Sequence, residues 1–289
     1  YDAAMIEKWG GGIGFGLSKL RPKSDKISTT HGQACGPIAV MKLYSSIGAT
    51  LTQGAFRLGA HMGQLRDSHP DVQEFIHCKD GDDALQNFNI SLQITDDFMR
   101  AVLDDGEWQT RAVTDDRVMD THKARDLMRL IAEGTHVCGD PGMQFDTTIN
   151  DWHTCPNTDR IRASNPCSEY MFLDDSACNL SSLNLMKFLN DDEGSGFDSE
   201  AFAAGVRTMI TAQEIMVDNA SYPTEAIGRN SHAYRPLGLG YANLGALLMS
   251  RGIPYDSDEG RDWAGALTAI MTGEAYAQSA RIARDHGGP

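Results

Sequence analysis

Segments typical of strands alternate with segments typical of helices along this chain, and this alternation limits the fold more than any other feature. Residues 88–94 alternate apolar and polar side chains and predict a strand. Residues 107–119 are mostly polar and predict a hairpin that turns near Asp115 and Asp116. Helical patterns lie between and after these segments. Interleaved strands and helices predict an α/β architecture.

Two helices are predicted from capping residues and apolar spacing. The first is capped by Thr121, ends at Gly134 and has one apolar face. The second begins at Asp198 or Ser199. The predicted core-facing residues are Leu127, Leu130 and Ile131 in the first helix and Phe202, Val206, Met209, Gln213 and Met216 in the second.

The last part of the chain is rich in alanine and nearly free of helix-breaking residues. Residues 256–284 therefore predict a long helix, with Gly265 and Gly273 as the positions at which it could be interrupted. Residues 191–196 are acidic and contain glycine, so they predict a solvated connection rather than a domain boundary.

Composition and charge exclude several classes of protein. The chain has 289 residues, of which 41% are hydrophobic and 22% charged, enough for one large or two modest globular domains. No stretch approaches the roughly 18 apolar residues that a membrane span requires, so we expect no membrane partner. The formal net charge of −15 disfavours binding to a nucleic-acid polymer. A small phosphorylated ligand remains compatible with this charge, because a few local groups can hold one phosphate.

The cysteines indicate a reducing compartment. Six in a chain of this length are too sparse for a disulfide scaffold, and no targeting peptide precedes them, so we expect a cytoplasmic protein. Four of them, Cys35, Cys78, Cys138 and Cys155, are interpreted as structural or passenger residues. The sequence starts at Tyr1 without a methionine, and we expect it to be a segment of a longer protein.

Glycines crowd residues 10–16. The spacing of Gly12, Gly14 and Gly16 does not fit the dinucleotide pattern G-x-G-x-x-G, and no phosphate-binding G-x-x-x-x-G-K-S/T follows. We therefore expect a tight structural turn at this position.

Residues 164–170 carry the strongest chemical signal. Cys167 lies two residues after Asn165 and two residues before Glu169, which brings a nucleophile or radical carrier, an amide and a proton acceptor together. Such a cluster suits side chains that converge on one small substrate. A second cysteine, Cys178, follows shortly and opens the sequence Asn-Leu-Ser-Ser-Leu-Asn-Leu.

Two other interpretations of these residues stay open from the sequence. Cys167 could be an inert buried thiol and Glu169 a solvated surface acid. Metal binding by His153, Cys155, Cys167 and Cys178 is a further option, although their spacing matches no zinc pattern and we predict no metal site.

The pattern Asn-x-Cys-x-Glu followed by Cys-Asn-Leu-Ser-Ser-Leu-Asn-Leu resembles the active-site finger loop of ribonucleotide reductase catalytic subunits. Residues 165–178 look most like the adenosylcobalamin-dependent, or class II, reductases. The resemblance extends to Gly-Asp-Pro-Gly at 139–142, Asp-Thr-Thr-Ile-Asn at 146–150 and residues 234–245. It covers essentially the whole chain.

The resemblance implies a ten-stranded α/β barrel that consists of two five-stranded halves, with a finger loop through its centre. This chain would contain only part of that barrel. Residues 1–289 would form the central part of one barrel domain. Within it, residues 1–60 would be the effector and specificity region, and residues 160–185 the finger loop and the redox-cysteine strand. The implied reaction replaces the ribose 2′-hydroxyl of a ribonucleotide with hydrogen.

The resemblance also assigns roles to single residues. Cys167 would be the transient thiyl radical that abstracts the 3′ hydrogen, and Glu169 would accept the 3′-hydroxyl proton. Asn165 would hydrogen-bond the substrate, which would contact the whole run Asn165, Pro166, Cys167, Ser168 and Glu169. Cys178 would belong to the redox cysteine pair, and its partner is expected before Tyr1.

An effector site is implied as well. Lys19 and Arg21 fall where basic residues contact the phosphates of a deoxynucleotide effector in this family, with a solvated basic turn as the alternative. Gln53 and Arg57 fall on the loop that relays effector identity to the substrate base.

The implied cofactor is adenosylcobalamin. The implied partners are a ribonucleoside di- or triphosphate, a deoxynucleotide effector, a thioredoxin-like dithiol reductant and a second copy in a homodimer. We expect this segment to be inactive by itself. Two alternatives stay open: a class I subunit that receives its radical from a metal-containing partner, and a regulatory nucleotide-binding module without catalysis.

Overall fold

The computed structural model describes residues 1–51, 59–81, 85–190 and 196–287. The chain divides into two compact units, Tyr1–Asp174 and Asp175–Pro289. The elements of the first unit are α1 (Asp2–Lys8), β1 (Ile13–Gly16), α2 (Pro37–Thr50), β2 (His61–Arg66), α3 (Val72–Ile76), β3 (Phe88–Ile94), α4 (Asp96–Leu103), β4 (Glu107–Arg111), β5 (Val118–Lys123), α5 (Ala124–Cys138), β6 (Gly142–Phe145) and α6 (Asp146–Asp151).

A parallel sheet with the strand order β1-β2-β3-β6 organises the first unit. Its register pairs Gly14 with Met62 and Ser91 with Gly142. All of β2 except Arg66 is buried, which is typical of parallel strands that are covered on both faces. Because the strands are parallel, their carboxyl ends lie along one edge of the sheet.

The buried Asp67, which follows β2, connects three elements of this unit. Its Oδ2 accepts hydrogen bonds from the backbone N of Thr95 at 2.7 Å and from the Thr95 hydroxyl at 2.8 Å. Thr95 is the N-cap of α4, and its hydroxyl also accepts from the Phe98 backbone N. The Asp67 carbonyl accepts from the indole N of Trp108, and the Trp108 ring packs edge-on against Phe98.

Several predictions for this unit are confirmed. Residues 88–94 form β3, and β4 and β5 form the polar hairpin. The predicted helix exists as α5 and buries Leu127 and Ile131. Its predicted ends are wrong: Thr121 lies in β5, and the helix continues to Cys138 before the left-handed Gly139.

Gly134 continues the helix because its missing side chain has a packing role. A Cβ at this position would lie 3.2 Å from the ring of Pro141 and 3.3 Å from the carbonyl oxygen of Asp140. The glycine therefore permits close approach of the chain after α5 instead of ending the helix.

The second unit is built on the parallel strands β7 (Asn179–Asn184) and β8 (Leu237–Ala242). A 3₁₀ helix, Leu185–Phe188, follows β7. The helices of this unit are α7 (Ser199–Asn219), α8 (Glu225–Tyr234), α9 (Leu244–Ser250) and α10 (Asp258–His286). The buried core residues are Leu185, Phe197, Phe202, Val206, Leu247 and Leu267.

The helix predictions for this unit are largely confirmed. Asp198 caps α7, since its Oδ1 accepts from the Ala201 backbone N at 2.8 Å. α10 is continuous through Gly265 and Gly273. The predicted core-facing residues of α7 are wrong at two positions. Ile210 and Val217 are buried, and Met209 and Met216, which were predicted to face the core, are not. Residues 191–195 of the predicted acidic loop lie outside the described residues.

The α/β class is confirmed. In the part of the chain that the structure describes, the strands form open sheets, and the ten-stranded barrel and the single barrel domain stay predictions. None of the described helices combines the length and the apolar composition needed to cross a membrane.

Candidate active site

Residues 162–171, called the cysteine loop below, form a tight turn in the first unit. Ser164 and Met171 make an antiparallel bridge at the base of the turn. The backbone N of Ser168 donates to the carbonyl of Asn165 at 3.1 Å, so Pro166 and Cys167 are the two central residues. Proline at the first central position presets the backbone angle that this turn requires. The turn therefore presents Cys167 at its tip.

Ser168 adopts an unusual backbone conformation next to the thiol. Its φ angle is 67°, in the left-handed region that favours glycine. For a residue with a side chain, this conformation costs on the order of 1 kcal/mol and persists only where its surroundings hold it. Ser168 separates Cys167 from Glu169, so its φ angle sets the relative direction of the two functional side chains.

Glycines allow β1 to run directly against the cysteine loop. Alternate residues of a strand point to the same side, so glycines at every second position leave one face of the strand without side chains. A Cβ on Gly14 would collide with the Ser164 carbonyl oxygen. A Cβ on Gly12 would lie 2.9 Å from the Pro166 ring, and one on Gly16 would lie 3.1 Å from the Arg162 carbonyl oxygen.

This contact corrects the predicted structural turn at residues 10–16. Residues 13–16 form β1, and the turn is confined to Trp9 and Gly10. The physical reason for the glycines is close backbone approach along a strand rather than reversal of the chain.

Amide side chains from the neighbouring strands, on the same face of the sheet as the glycines, also hold the cysteine loop. They come from β2, β3 and β6 and bond to the loop backbone or to its serine hydroxyls. The contacts are Gln64 Oε1 with Ser164 N at 2.8 Å, Asn89 Nδ2 with Pro166 O at 2.8 Å, Gln93 Nε2 with Arg162 O at 2.7 Å, and Gln144 Nε2 with both Ser164 Oγ and Ser168 Oγ at 2.9 Å.

The three predicted functional side chains lie on this one turn. Cys167 is an exposed thiol, Glu169 is exposed, and Asn165 is half-buried. The Asn165 Oδ1 accepts from the backbone N of Tyr170 at 3.0 Å, which fixes its amide within the turn. The interpretation of Cys167 as a buried thiol is therefore wrong. The turn thus carries an exposed thiol and an exposed carboxylate two residues apart.

The side chains around His153 are engaged in other contacts. The His153 Nε2 lies 3.0 Å from the Asp159 carbonyl oxygen, and the Cys155 backbone N donates toward His153 Nδ1. Among the described residues, no three acidic, histidine or cysteine side chains come together as metal ligands.

Cys178 lies in the second unit, just before β7, and is half-buried. Its neighbour across the strand pair is Gly238, where a Cβ would lie 3.0 Å from the Cys178 sulfur. Gln213 of α7 is buried beside both strands, and its Nε2 donates to the carbonyls of Asn179 at 3.2 Å and Gly238 at 2.6 Å. These contacts fix the backbone just after Cys178 and the backbone of the paired strand.

Comparison with known proteins identifies the family to which this arrangement belongs. The family described as "Ribonucleotide reductase, barrel domain" matches residues 1–289. The chain belongs to this family.

Named relatives support the same assignment. The chain is 48% identical over 97% of its length to a vitamin B12-dependent ribonucleotide reductase of Rhodopirellula baltica, covering 29% of that protein. It is 44% identical to a protein of the same name from Streptomyces coelicolor, over 98% of the chain and 32% of the relative. A vitamin B12-dependent ribonucleoside-diphosphate reductase of Mycobacterium tuberculosis is 35% identical over 99% of the chain and 41% of the relative. The chain thus spans about a third of the length of these relatives.

The predicted effector residues of this reductase-family chain occupy the segment after β1. Lys19 is exposed, and Arg21 is half-buried with its Nη1 donating to the Lys26 carbonyl at 3.1 Å. Hydrogen bonds from the Arg162 side chain and from the Arg160 backbone N lower the pKa of Asp159 to about 2, with a smaller contribution from the charge of Lys19. Gln53 and Arg57 lie outside the described residues.

The residues that hold the loop are not predictable from the sequence pattern. Gln64 and Gln144 are buried polar residues within strands, and only the structure shows that both contact the cysteine loop. The glycines did carry a signal, because Gly12, Gly14 and Gly16 recur at the period of a strand face.

Proposed function

We propose that this chain carries the radical cysteine and the proton acceptor of an adenosylcobalamin-dependent ribonucleotide reductase, which reduces ribonucleotides to 2′-deoxyribonucleotides. The observation that carries the proposal is the cysteine loop itself. Its tip presents an exposed thiol and an exposed carboxylate on one turn, fixed against the sheet by glycines and amides. The names of the relatives give the reaction and the cofactor dependence.

In this proposal the turn supplies one hydrogen carrier and one base. The thiyl form of Cys167 takes the 3′ hydrogen atom of the ribose and returns it after reduction. Glu169 accepts the 3′-hydroxyl proton, which lowers the barrier for loss of the 2′-oxygen as water. Asn165 holds the substrate in line with both groups. Ser168 is the neighbouring residue that would contact the ribose, whereas Pro166, also predicted to contact the substrate, is buried against Gly12 and supports the turn instead.

The electrons come from a thiol pair that includes Cys178. Oxidation of two thiols to a disulfide releases two electrons and two protons, which balances the replacement of a hydroxyl by hydrogen with formation of water. A thioredoxin-like dithiol then reduces the disulfide. Gln213 and Gly238 hold the backbone and leave space around the Cys178 sulfur.

The exposed thiol of Cys167 fits the proposed cofactor, because a radical generated beside the loop tip can reach its sulfur directly. Adenosylcobalamin, when bound, supplies that radical by homolysis of its cobalt–carbon bond. On this chain the residue that would receive the radical is Cys167.

We also propose the finer architecture and partners that the family implies. The chain would form the central part of one ten-stranded barrel domain, with residues 160–185 at its centre. Residues 1–60 would bind a deoxynucleotide effector through Lys19 and Arg21 and relay its identity through Gln53 and Arg57. The whole enzyme would act in the cytoplasm as a homodimer on ribonucleoside di- or triphosphates.

The test is anaerobic reduction of ribonucleotides by the full-length protein, with a dithiol and adenosylcobalamin and without a second protein. Turnover that disappears in Cys167→Ser and persists in Cys35→Ser supports the proposal, since Cys35 is an exposed cysteine outside the site. Turnover that requires a metal-containing partner protein would favour class I. Nucleotide binding without turnover under either condition would favour a regulatory module.

A further inference from the structure

A closed ring of hydrogen bonds lies beneath the cysteine loop. The backbone N of Ser164 donates to Gln64 Oε1 at 2.8 Å, and Gln64 Nε2 donates to Gln144 Oε1. Gln144 Nε2 returns to the loop and donates to the hydroxyls of Ser164 and Ser168, both at 2.9 Å. The two glutamines are buried, and Gln64 is fully inaccessible to solvent.

The order of donors in this ring is determined by chemistry. A backbone N–H can only donate, so Gln64 must present its oxygen to Ser164 and its NH₂ group to Gln144. Gln144 must then present its own NH₂ group to the two serine hydroxyls. The Ser164 hydroxyl in turn donates a hydrogen bond to the Asn165 carbonyl at 3.1 Å. One fixed sequence of donors therefore connects β2, β6 and the turn that carries Cys167.

Ser168 is where this ring reaches the reacting groups. Its left-handed φ of 67° determines how Cys167 and Glu169 are directed relative to each other, and its hydroxyl is held by Gln144. Resting on the function proposed above, we propose that Gln144 is a positioning residue for ribonucleotide reduction. It acts through Ser168, which it holds in the left-handed conformation so that the thiol and the carboxylate meet one substrate.

The first readout of the experiment is the reactivity of Cys167 in the full-length protein without substrate. The protein is alkylated with iodoacetamide, and each cysteine-containing peptide is quantified by mass spectrometry over time. The exposed Cys35 and Cys138 serve as internal references. Gln144→Met and Ser168→Ala should both change the labelling rate of Cys167 relative to these references by about threefold or more, because the turn no longer holds one conformation.

The second readout is the separation of kcat from KM in the reductase assay. A displaced thiol or base lowers the rate of the chemical step more than it lowers the affinity for substrate. Misplacement of a reacting group by about 1 Å lowers the rate on the order of 100-fold. Both variants should lower kcat by roughly 10- to 100-fold while KM changes less than about twofold. Gln73→Met is the matched control, because Gln73 is exposed on α3, and it should behave as wild type in both readouts.

Ser168→Ala keeps the test valid if the Gln144→Met variant misfolds, because it removes only one hydroxyl from a half-buried loop position. Ser168→Gly should recover part of the lost kcat, because glycine adopts the left-handed conformation without strain. Unchanged labelling of Cys167, unchanged kcat in both variants, or a change confined to KM would overturn the inference. If the wild-type protein does not reduce ribonucleotides, the proposed function fails, and the labelling readout still decides whether Gln144 and Ser168 position Cys167.

Discussion

Gly14 and Ser164 are in direct backbone contact: a Cβ atom on Gly14 would collide with the Ser164 carbonyl oxygen. This contact seats the base of the cysteine loop against β1, whereas Gln64 and Gln144 hold it from the adjacent strands. The thiol-bearing turn therefore belongs to the sheet's core structure and is not an independent surface loop.

Gly14→Ala should therefore displace the loop and destabilise the first unit. Forcing a methyl group into a packed contact typically costs about 1 to 3 kcal/mol in the free energy of unfolding. Chemical denaturation measures this change, with Gly106→Ala as the control, because a Cβ at Gly106 would make only ordinary contacts, at 3.6 Å or more. Equal stability of the two variants would contradict the contact between β1 and the loop.

The local part of the site could be predicted from the sequence. Asn165, Cys167 and Glu169 lie within five residues, so one turn necessarily keeps them close whatever the rest of the fold does. The supports could not be predicted, because Gln64 and Ser164 are 100 residues apart and Gln64 and Gln144 are 80 residues apart. Only the parallel sheet brings them together.

The same distinction applies to the helices. The start of α7 at Asp198 or Ser199 was predicted correctly, because the Asp198 cap depends on a residue only three positions away. Gly134 was wrongly predicted as the end of a helix because its role is packing against Pro141 across a chain reversal. Local signals were reliable where local contacts decide the structure, and they failed where tertiary packing decides it.

Asp67→Asn should alter how stability depends on pH. Burial raises the pKa of the Asp67 carboxyl to about 6 from an ordinary value of 3.8, against the lowering effect of the hydrogen bonds from Thr95. The folded state therefore holds this proton more tightly than the unfolded state does. The contribution of the Asp67 proton to the free energy of unfolding is complete below about pH 4 and is lost as the pH rises through about 6. Between these two limits, the difference between the folded and unfolded pKa values corresponds to about 3 kcal/mol in the free energy of unfolding.

The measurement is urea denaturation of wild type and Asp67→Asn at pH 4.5 and pH 7. The stability of the variant relative to wild type should be higher at pH 7 than at pH 4.5, by about 2 kcal/mol, because asparagine does not titrate and pH 4.5 lies between the two pKa values of the aspartate. Asp104→Asn, at an exposed residue after α4, should show a much smaller change. A relative stability that falls with rising pH would mean that the sign of the Asp67 shift is wrong.

Gln213→Leu should destabilise the strand pair next to Cys178. Gln213 is 2% exposed, and its loss leaves the carbonyls of Asn179 and Gly238 without this donor. An unsatisfied buried group costs about 1 to 3 kcal/mol. Gln278→Leu removes a hydrogen bond to the Thr211 hydroxyl and one from the exposed Arg281, both at a half-buried site and neither to a strand backbone, so its effect on the free energy of unfolding should be smaller. Indistinguishable unfolding curves for the two variants would show that Gln213 does not hold the strands.

Glu169→Gln tests the proposed base separately from the thiol. Glutamine has nearly the same shape but cannot take up the 3′-hydroxyl proton, and a positioned base contributes typically 100- to 10,000-fold to the rate. In the full-length protein kcat should fall within that range, while alkylation of Cys167 should proceed at the wild-type rate because the turn is intact. Glu133→Gln, at an exposed residue of α5, should leave both quantities unchanged. If Glu169→Gln retained wild-type kcat, the proton would have to leave by another route, and Glu169 would be a surface acid beside a radical cysteine.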